Sequence, residues 1–233
     1  MIQKVKGKKY LINGGLGMIG STIAKILVEA KAEVTIVDAM IKPFGANLFN
    51  IEKIKNQVKT CFFDIKNTED MKKEIKDKDV IFNLAGQVAH NDSIVDPIYD
   101  AKLNYLYQLN VMECIRQVNP NAKTIFSGSR LQFGKIKKAP VDENHASCPE
   151  TPYALHKQTT ENMYQFYNRQ YDTDTVVFRI ANPYGPRGQI KHSKYTIINF
   201  FIRQALEGKT ISIFGEGSQL LRTEPITRFH HQT

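Results

Sequence analysis

Tyr153 and Lys157 lie four residues apart in the segment Thr151-Pro-Tyr-Ala-Leu-His-Lys157. Thr151 suits a helix N-cap and Pro152 a first helical position, so the two side chains are expected on one face of a helix over Pro152–Gln170. An ammonium close to a phenol favours the phenolate. A free phenol titrates near pH ~10, so the cation is what would bring proton transfer within reach of neutral pH. Tyr-x-x-x-Lys alone is a common helical coincidence. Its weight comes from Ser127-Gly-Ser-Arg-Leu-Gln-Phe-Gly134, which follows an apolar run and sets Ser129 at the C-terminal end of a strand, where ligands bind in open α/β sheets.

A second signature is Gly14-Gly-Leu-Gly-Met-Ile-Gly20, directly after the apolar run Lys9–Asn13 and before a helical pattern. Glycines there allow a tight turn and a close approach of pyrophosphate to the N–H groups of a helix N-terminus. Two registers coexist, Gly14/Gly17/Gly20 and Gly15/Gly17/Gly20. The next apolar run ends at Asp38, about twenty residues beyond the turn, where a carboxylate binds ribose hydroxyls and repels a 2′-phosphate. NAD is expected as cofactor, in preference to NADP.

The elements that must position these groups alternate in type. Tyr10–Asn13, Val34–Val37, Val58–Phe63, Val80–Leu84, Thr124–Phe126 and Thr175–Ile180 read as strands. Met18–Ala30, Leu48–Asn56, Thr68–Lys76, Pro97–Gln117 and Pro152–Gln170 read as helices between them. The expected fold is α/β, a Rossmann-type doubly wound parallel sheet with a truncated small C-terminal substrate lobe. Residues 1–180 form the NAD-binding domain in this reading. Residues 181–233 form a partial lobe with a helix over Tyr195–Leu206 and a strand over Ile211–Phe214.

Of 233 residues, 32 are Lys or Arg and 23 Asp or Glu, a net charge of +9. The lysines are interleaved with acids, as in Glu69–Asp77, which is a solvated helical face rather than a nucleic-acid surface. No run reaches the roughly 18 apolar residues of a membrane span, so a cytoplasmic protein is expected. Cys61, Cys114 and Cys148 lack C-x-x-C spacing, and the histidines lack metal-ligand spacing, so no metal is expected. His90 falls in a loop near the expected ligand and reads as a bystander. Tyr164, Phe166, Tyr167 and Tyr171 read as a packing face.

Taken together, these pieces resemble the extended short-chain dehydrogenase/reductase family, in its NAD-dependent nucleotide-sugar epimerase/dehydratase branch. The likeness runs from about Lys8 to Gln219 and includes Asp64-Ile65, Asn83-Leu-Ala-Gly86 and Arg179-Ile-Ala-Asn-Pro-Tyr-Gly-Pro-Arg187. The resemblance implies that Gly14, Gly17, Met18, Ile19, Gly20 and Asp38 hold the cofactor. It places Asp64 and Ile65 at the adenine, Leu84, Ala85 and Gly86 along the cofactor, and Asn104 in contact with it. Ser129, Tyr153 and Lys157 become the catalytic residues, Tyr153 and Lys157 also touch the cofactor, and Ser129 and Asn182 bind the nucleotide-sugar substrate.

Dehydratases of this branch carry an Asp-Glu pair directly after the Ser/Thr. Here Arg130 and Leu131 stand in those places, so the resemblance implies an epimerase that transiently oxidises a sugar hydroxyl. Arg130 could reach a substrate phosphate or carboxylate, or be a surface residue. Family members continue well beyond Thr233, and past Gln219 the likeness stops, with Arg222 displaced, as truncation or a shifted reading frame would produce. An NAD-binding remnant without turnover, and a dehydratase or reductase, are the alternatives. A homodimer through Pro97–Gln117 and Pro152–Gln170 is implied by the resemblance alone.

Overall fold

The computed structural model describes residues 2–213, 216 and 223–226. A short helix α1 (Ile2–Val5) precedes β1 (Lys9–Asn13), α2 (Met18–Glu29), β2 (Glu33–Val37), β3 (Val58–Cys61), α3 (Thr68–Ile75) and β4 (Val80–Asn83). Then follow α4 (His90–Val95), α5 (Pro97–Ala101), α6 (Tyr107–Val118), β5 (Lys123–Ser129), α7 (Pro152–Tyr171) and β6 (Thr175–Ile180). Last come β7 (Asn182–Tyr184), α8 (Ile197–Leu206) and β8 (Thr223–Pro225).

Strands β1 to β6 pair in parallel in the order β3-β2-β1-β4-β5-β6, the doubly wound arrangement expected. The strands read as near-continuous apolar runs because both faces are covered. Tyr10, Ile12, Val34 and Ile36 pack with Ala24, Leu27 and Val28 of α2. On the opposite face Leu11, Val37, Ile81 and Phe126 pack with Met71 of α3, Met112 of α6 and Tyr164 of α7. Chain order reverses between β1 and β4, which opens a crevice above the strands' C-terminal ends. β7 and β8 pair in a separate two-stranded sheet.

Several expected elements differ. Leu48–Asn56 is not one helix but two 3-10 turns, Leu48–Ile51 and Lys55–Gln57. The Asn50 amide is drawn to Leu16 O at 2.8 Å, which ties this segment to the glycine turn instead of to a helical repeat. Pro97–Gln117 is interrupted by a π turn at Lys102–Leu106, a feature often found at functional sites. The helix expected from Tyr195 starts at Ile197, because Thr196 adopts a left-handed conformation, φ 55°. Residues 211–213 form no strand, and Ile213 is exposed; Phe214 lies outside the described residues. Gln219, Arg222 and the tail Arg228–Thr233 also lie outside them.

Candidate functional site

A cavity of about 790 Å³ lies over the switch point and is lined from the ends of β1, β2, β4, β5 and β6. Gly14, Gly17, Met18, Ile19 and Gly20 form its floor, whereas Gly15 does not reach it. This separates the two glycine registers. A Cβ on Gly15 would meet the Ile36 side chain at 2.6 Å, so Gly15 serves helix–sheet packing. Gly14 has φ +75°, and a Cβ there would stand 2.8 Å from Ala85 N. Gly17 is different, since a Cβ would find nothing nearer than Gly14 O at 3.4 Å. Packing within the protein therefore does not require that glycine.

Gly17 is also the N-cap of α2 and supplies no side-chain cap, which leaves the first-turn N–H groups for an anion. Asp38 is buried at the rim, its Oδ1 accepting from Met40 N at 2.8 Å and its Oδ2 from Leu16 N at 3.1 Å. Burial pushes its carboxyl pKa above the ordinary value, opposed by those two hydrogen bonds. Asp64, Ile65, Leu84, Ala85 and Gly86 line the same cavity. The donor set fits a dinucleotide: free N–H groups for the pyrophosphate, a carboxylate for a ribose and apolar walls for the base.

Tyr153, Lys157 and Ser129 come together at the cavity's inner end. Thr151 caps α7 as expected, its hydroxyl accepting from Ala154 N at 3.2 Å. Tyr153 is 7% and Lys157 3% exposed, and burial dominates both. The phenol is pushed up to about 12 by burial, opposed by the hydrogen bond with Ser129, with Asp100 adding to the rise. Lys157 is pushed down to about 8 by burial, opposed by Asp100. Burial, Ser129 and Asp100 set the phenol's shift, and Lys157 is not among its causes. Lys157 Nζ donates to Ser127 O at 3.1 Å and lies 6.0 Å from the Tyr153 ring centroid, over the Phe126 ring at 4.8 Å.

Asn104 is not on the cavity surface. It is fully buried behind Gly86, where its Oδ1 would be 2.6 Å from a Cβ. Its Nδ2 donates to Gln87 O at 3.1 Å and to Asp100 Oδ2 at 2.8 Å, and the other oxygen of Asp100 is 2.7 Å from His156 Nδ1. Asp100 and His156 escaped the sequence reading, because only the fold brings residues 56 apart in the chain together. Asn182 and Arg130 both line the cavity, with Arg130 Nε donating to Asn182 Oδ1 at 3.3 Å. His90 also lines it, at the start of α4, and Ser93 of that helix accepts from Tyr153 N at 3.0 Å. Arg187, which closes the Arg179–Arg187 motif but carries no assigned role there, lines the cavity and donates to Thr22 of α2 at 2.8 Å. Among the described residues no helix is long and apolar enough to cross a membrane, and no cluster of three His, Cys, Asp or Glu residues could hold a metal ion.

A family model described as the NAD dependent epimerase/dehydratase family matches residues 10–221. A putative UDP-glucose 4-epimerase of Methanocaldococcus jannaschii is 31% identical over 210 residues, 90% of this chain and 67% of that protein. The CDP-paratose 2-epimerase of Salmonella typhi is 28% identical, over 91% of this chain and 69% of that protein. Among solved structures, the UDP-N-acetylglucosamine 4-epimerase of Methanobrevibacter ruminantium, in complex with UDP-N-acetylmuramic acid, matches with a TM-score of 0.89 at 27% identity. That match covers 96% of this chain and 71% of the other. The chain thus spans about two thirds of the length of the proteins it resembles.

Proposed function

The chain belongs to the NAD dependent epimerase/dehydratase family, and from that premise we propose that it is a nucleotide-sugar epimerase acting by transient oxidation of a sugar hydroxyl. One observation carries the choice of reaction. Among the described residues the only carboxylates lining the cavity are Asp38 and Asp64, past β2 and β3, so no acid–base carboxylate pair stands beside the reactive hydroxyls, as water elimination would need.

Gly14, Gly17, Met18, Ile19 and Gly20 would hold the pyrophosphate of NAD, Asp38 the adenosine ribose, Asp64 and Ile65 the adenine, and Leu84–Gly86 its length. Arg187 adds a cation beside α2. NAD supplies a reversible hydride acceptor, unchanged over an epimerisation cycle. The rest falls to the chain. Ser129 holds the sugar hydroxyl, Tyr153 Oη takes and returns its proton, and Lys157 binds the nicotinamide ribose and supplies the positive charge opposite the phenolate. Asn104 acts from behind, fixing Gly86 against that site. Asn182 meets the substrate's phosphate region.

The test is to incubate the NAD-loaded chain with UDP-, CDP-, GDP- and dTDP-sugars and follow epimer formation by NMR. Accumulation of a 4-keto-6-deoxy sugar, or no conversion of any substrate, refutes the reading. A homodimer belongs to the same reading, since Ile98 on α5, Leu106 in the π turn and Leu155 on α7 are 67%, 48% and 50% exposed. Sedimentation of Leu155→Glu at the dimer mass would remove α7 from that contact.

A further inference from the structure

The inner end of the cavity, around Ser129 and Tyr153, carries cations and, among the described residues, no lining carboxylate. Of the lining cations, Lys194 pairs with Asp92 at 2.8 Å, Lys157 donates to Ser127 O at 3.1 Å and Arg187 to Thr22 at 2.8 Å. Arg130 is the least firmly held of them. It leaves β5 directly after Ser129 and is half-buried in the cavity wall. Among the described residues it makes no ion pair, and its bond to Asn182 at 3.3 Å is at the long limit of an N–H···O contact. Burial disfavours its charge with no carboxylate to offset the loss of water. His90 stands close enough for the Arg130 charge to lower its imidazole pKa, burial being the larger cause. The helix that begins at His90 is tied to Tyr153 N through Ser93.

A guanidinium that is partly dehydrated and unmatched is a site awaiting two oxygens, and its planar fork suits a carboxylate. The competing anion is the diphosphate. Arg130 is offset by a single residue from Ser129 and sits between the ends of β4 and β6, which puts it at the ring undergoing chemistry. We propose that Arg130, beside His90, forms a subsite for a carboxylate borne on the sugar, so that the preferred substrate is a nucleotide-linked sugar acid. This rests on the nucleotide-sugar reading and sharpens it.

Glucose 1-phosphate and glucuronic acid 1-phosphate differ only at C6 and carry no base, so nucleotide preference does not enter. Each is titrated into the NAD-loaded chain by NMR. The uronate should bind about tenfold tighter or more, the range of a charge-assisted pair. Arg130→Met should bring the two ligands within about twofold of each other while NAD still binds, and Arg130→Lys should keep part of the preference. Equal affinities in the parent chain, no binding of either ligand, or a preference that survives in Arg130→Met overturns the proposal. Equal weakening of both ligands in Arg130→Met also overturns it and assigns the residue to phosphate. The titration reads binding alone. Uronate bound with no epimer formed from any nucleotide sugar would therefore sink the catalytic reading and leave the subsite standing.

Discussion

Lys157→Met should abolish turnover and at the same time stabilise the cofactor-free chain. The ammonium is 3% exposed, faces the Phe126 ring, and is pushed from 10.5 to about 8 by burial, with Asp100 the one opposing charge. A displacement of that size corresponds to about 3 kcal/mol of penalty on the charged form at neutral pH. Methionine has a similar shape and suits an aromatic neighbour, but it gives up the bond to Ser127 O, worth about 1 kcal/mol. The net gain is about 2 kcal/mol, or roughly 4–8 °C in Tm for a chain of this size. The sign follows from proton linkage. Lys157 releases its proton near 8 when folded and near 10.5 when unfolded, so the unfolded chain holds more protons between those values. The penalty is fully present below pH 8 and fades as pH rises towards 10.5, so the variant's advantage should shrink from pH 7 to pH 10. Thermal melts of both chains across that range decide it. A variant less stable than the parent at pH 7, or an advantage that does not change with pH, refutes the account.

Gly17→Ala should leave Tm within about 4 °C of the parent, since its Cβ meets nothing nearer than 3.4 Å, yet weaken NAD about 10- to 150-fold by calorimetry, the loss of one charge-assisted bond. Gly14→Ala should instead cost roughly 2–5 kcal/mol of stability, from a left-handed backbone and a Cβ 2.8 Å from Ala85 N; equal melts for the two variants would contradict this. Tyr153→Phe should lower epimer formation by about 10²-fold or more with NAD affinity retained, and undiminished turnover would remove Tyr153 from the mechanism. Asp100→Asn takes away the carboxylate that supports the Lys157 charge, so the alkaline limb of the pH–rate profile should move to lower pH; an unmoved limb would show that Asp100 only packs.

Much of this protein is written in short-range patterns. Two-sided burial makes strands read as apolar runs, so the parallel sheet was legible, and the Thr151-Pro152 start marked α7 because capping is settled within a few residues. The glycine spacing and Asp38 announced a dinucleotide, since few other contexts require that backbone. The breaks fell where distant segments compete. Leu48–Asn56 has a helical pattern, but Asn50 bonds to the glycine turn 34 residues away.

Only the tertiary structure separated Gly15, which packs on Ile36, from Gly14 and Gly17, which face the cavity, because the distinction depends on what stands opposite each Cα. Likewise Asn104 is set behind Gly86, and Asp100 meets His156, through helices that touch only in the folded chain. Helical spacing alone paired Tyr153 with Lys157 and expected a more acidic phenol. The fold decided otherwise, because loss of water on burial dominates both groups.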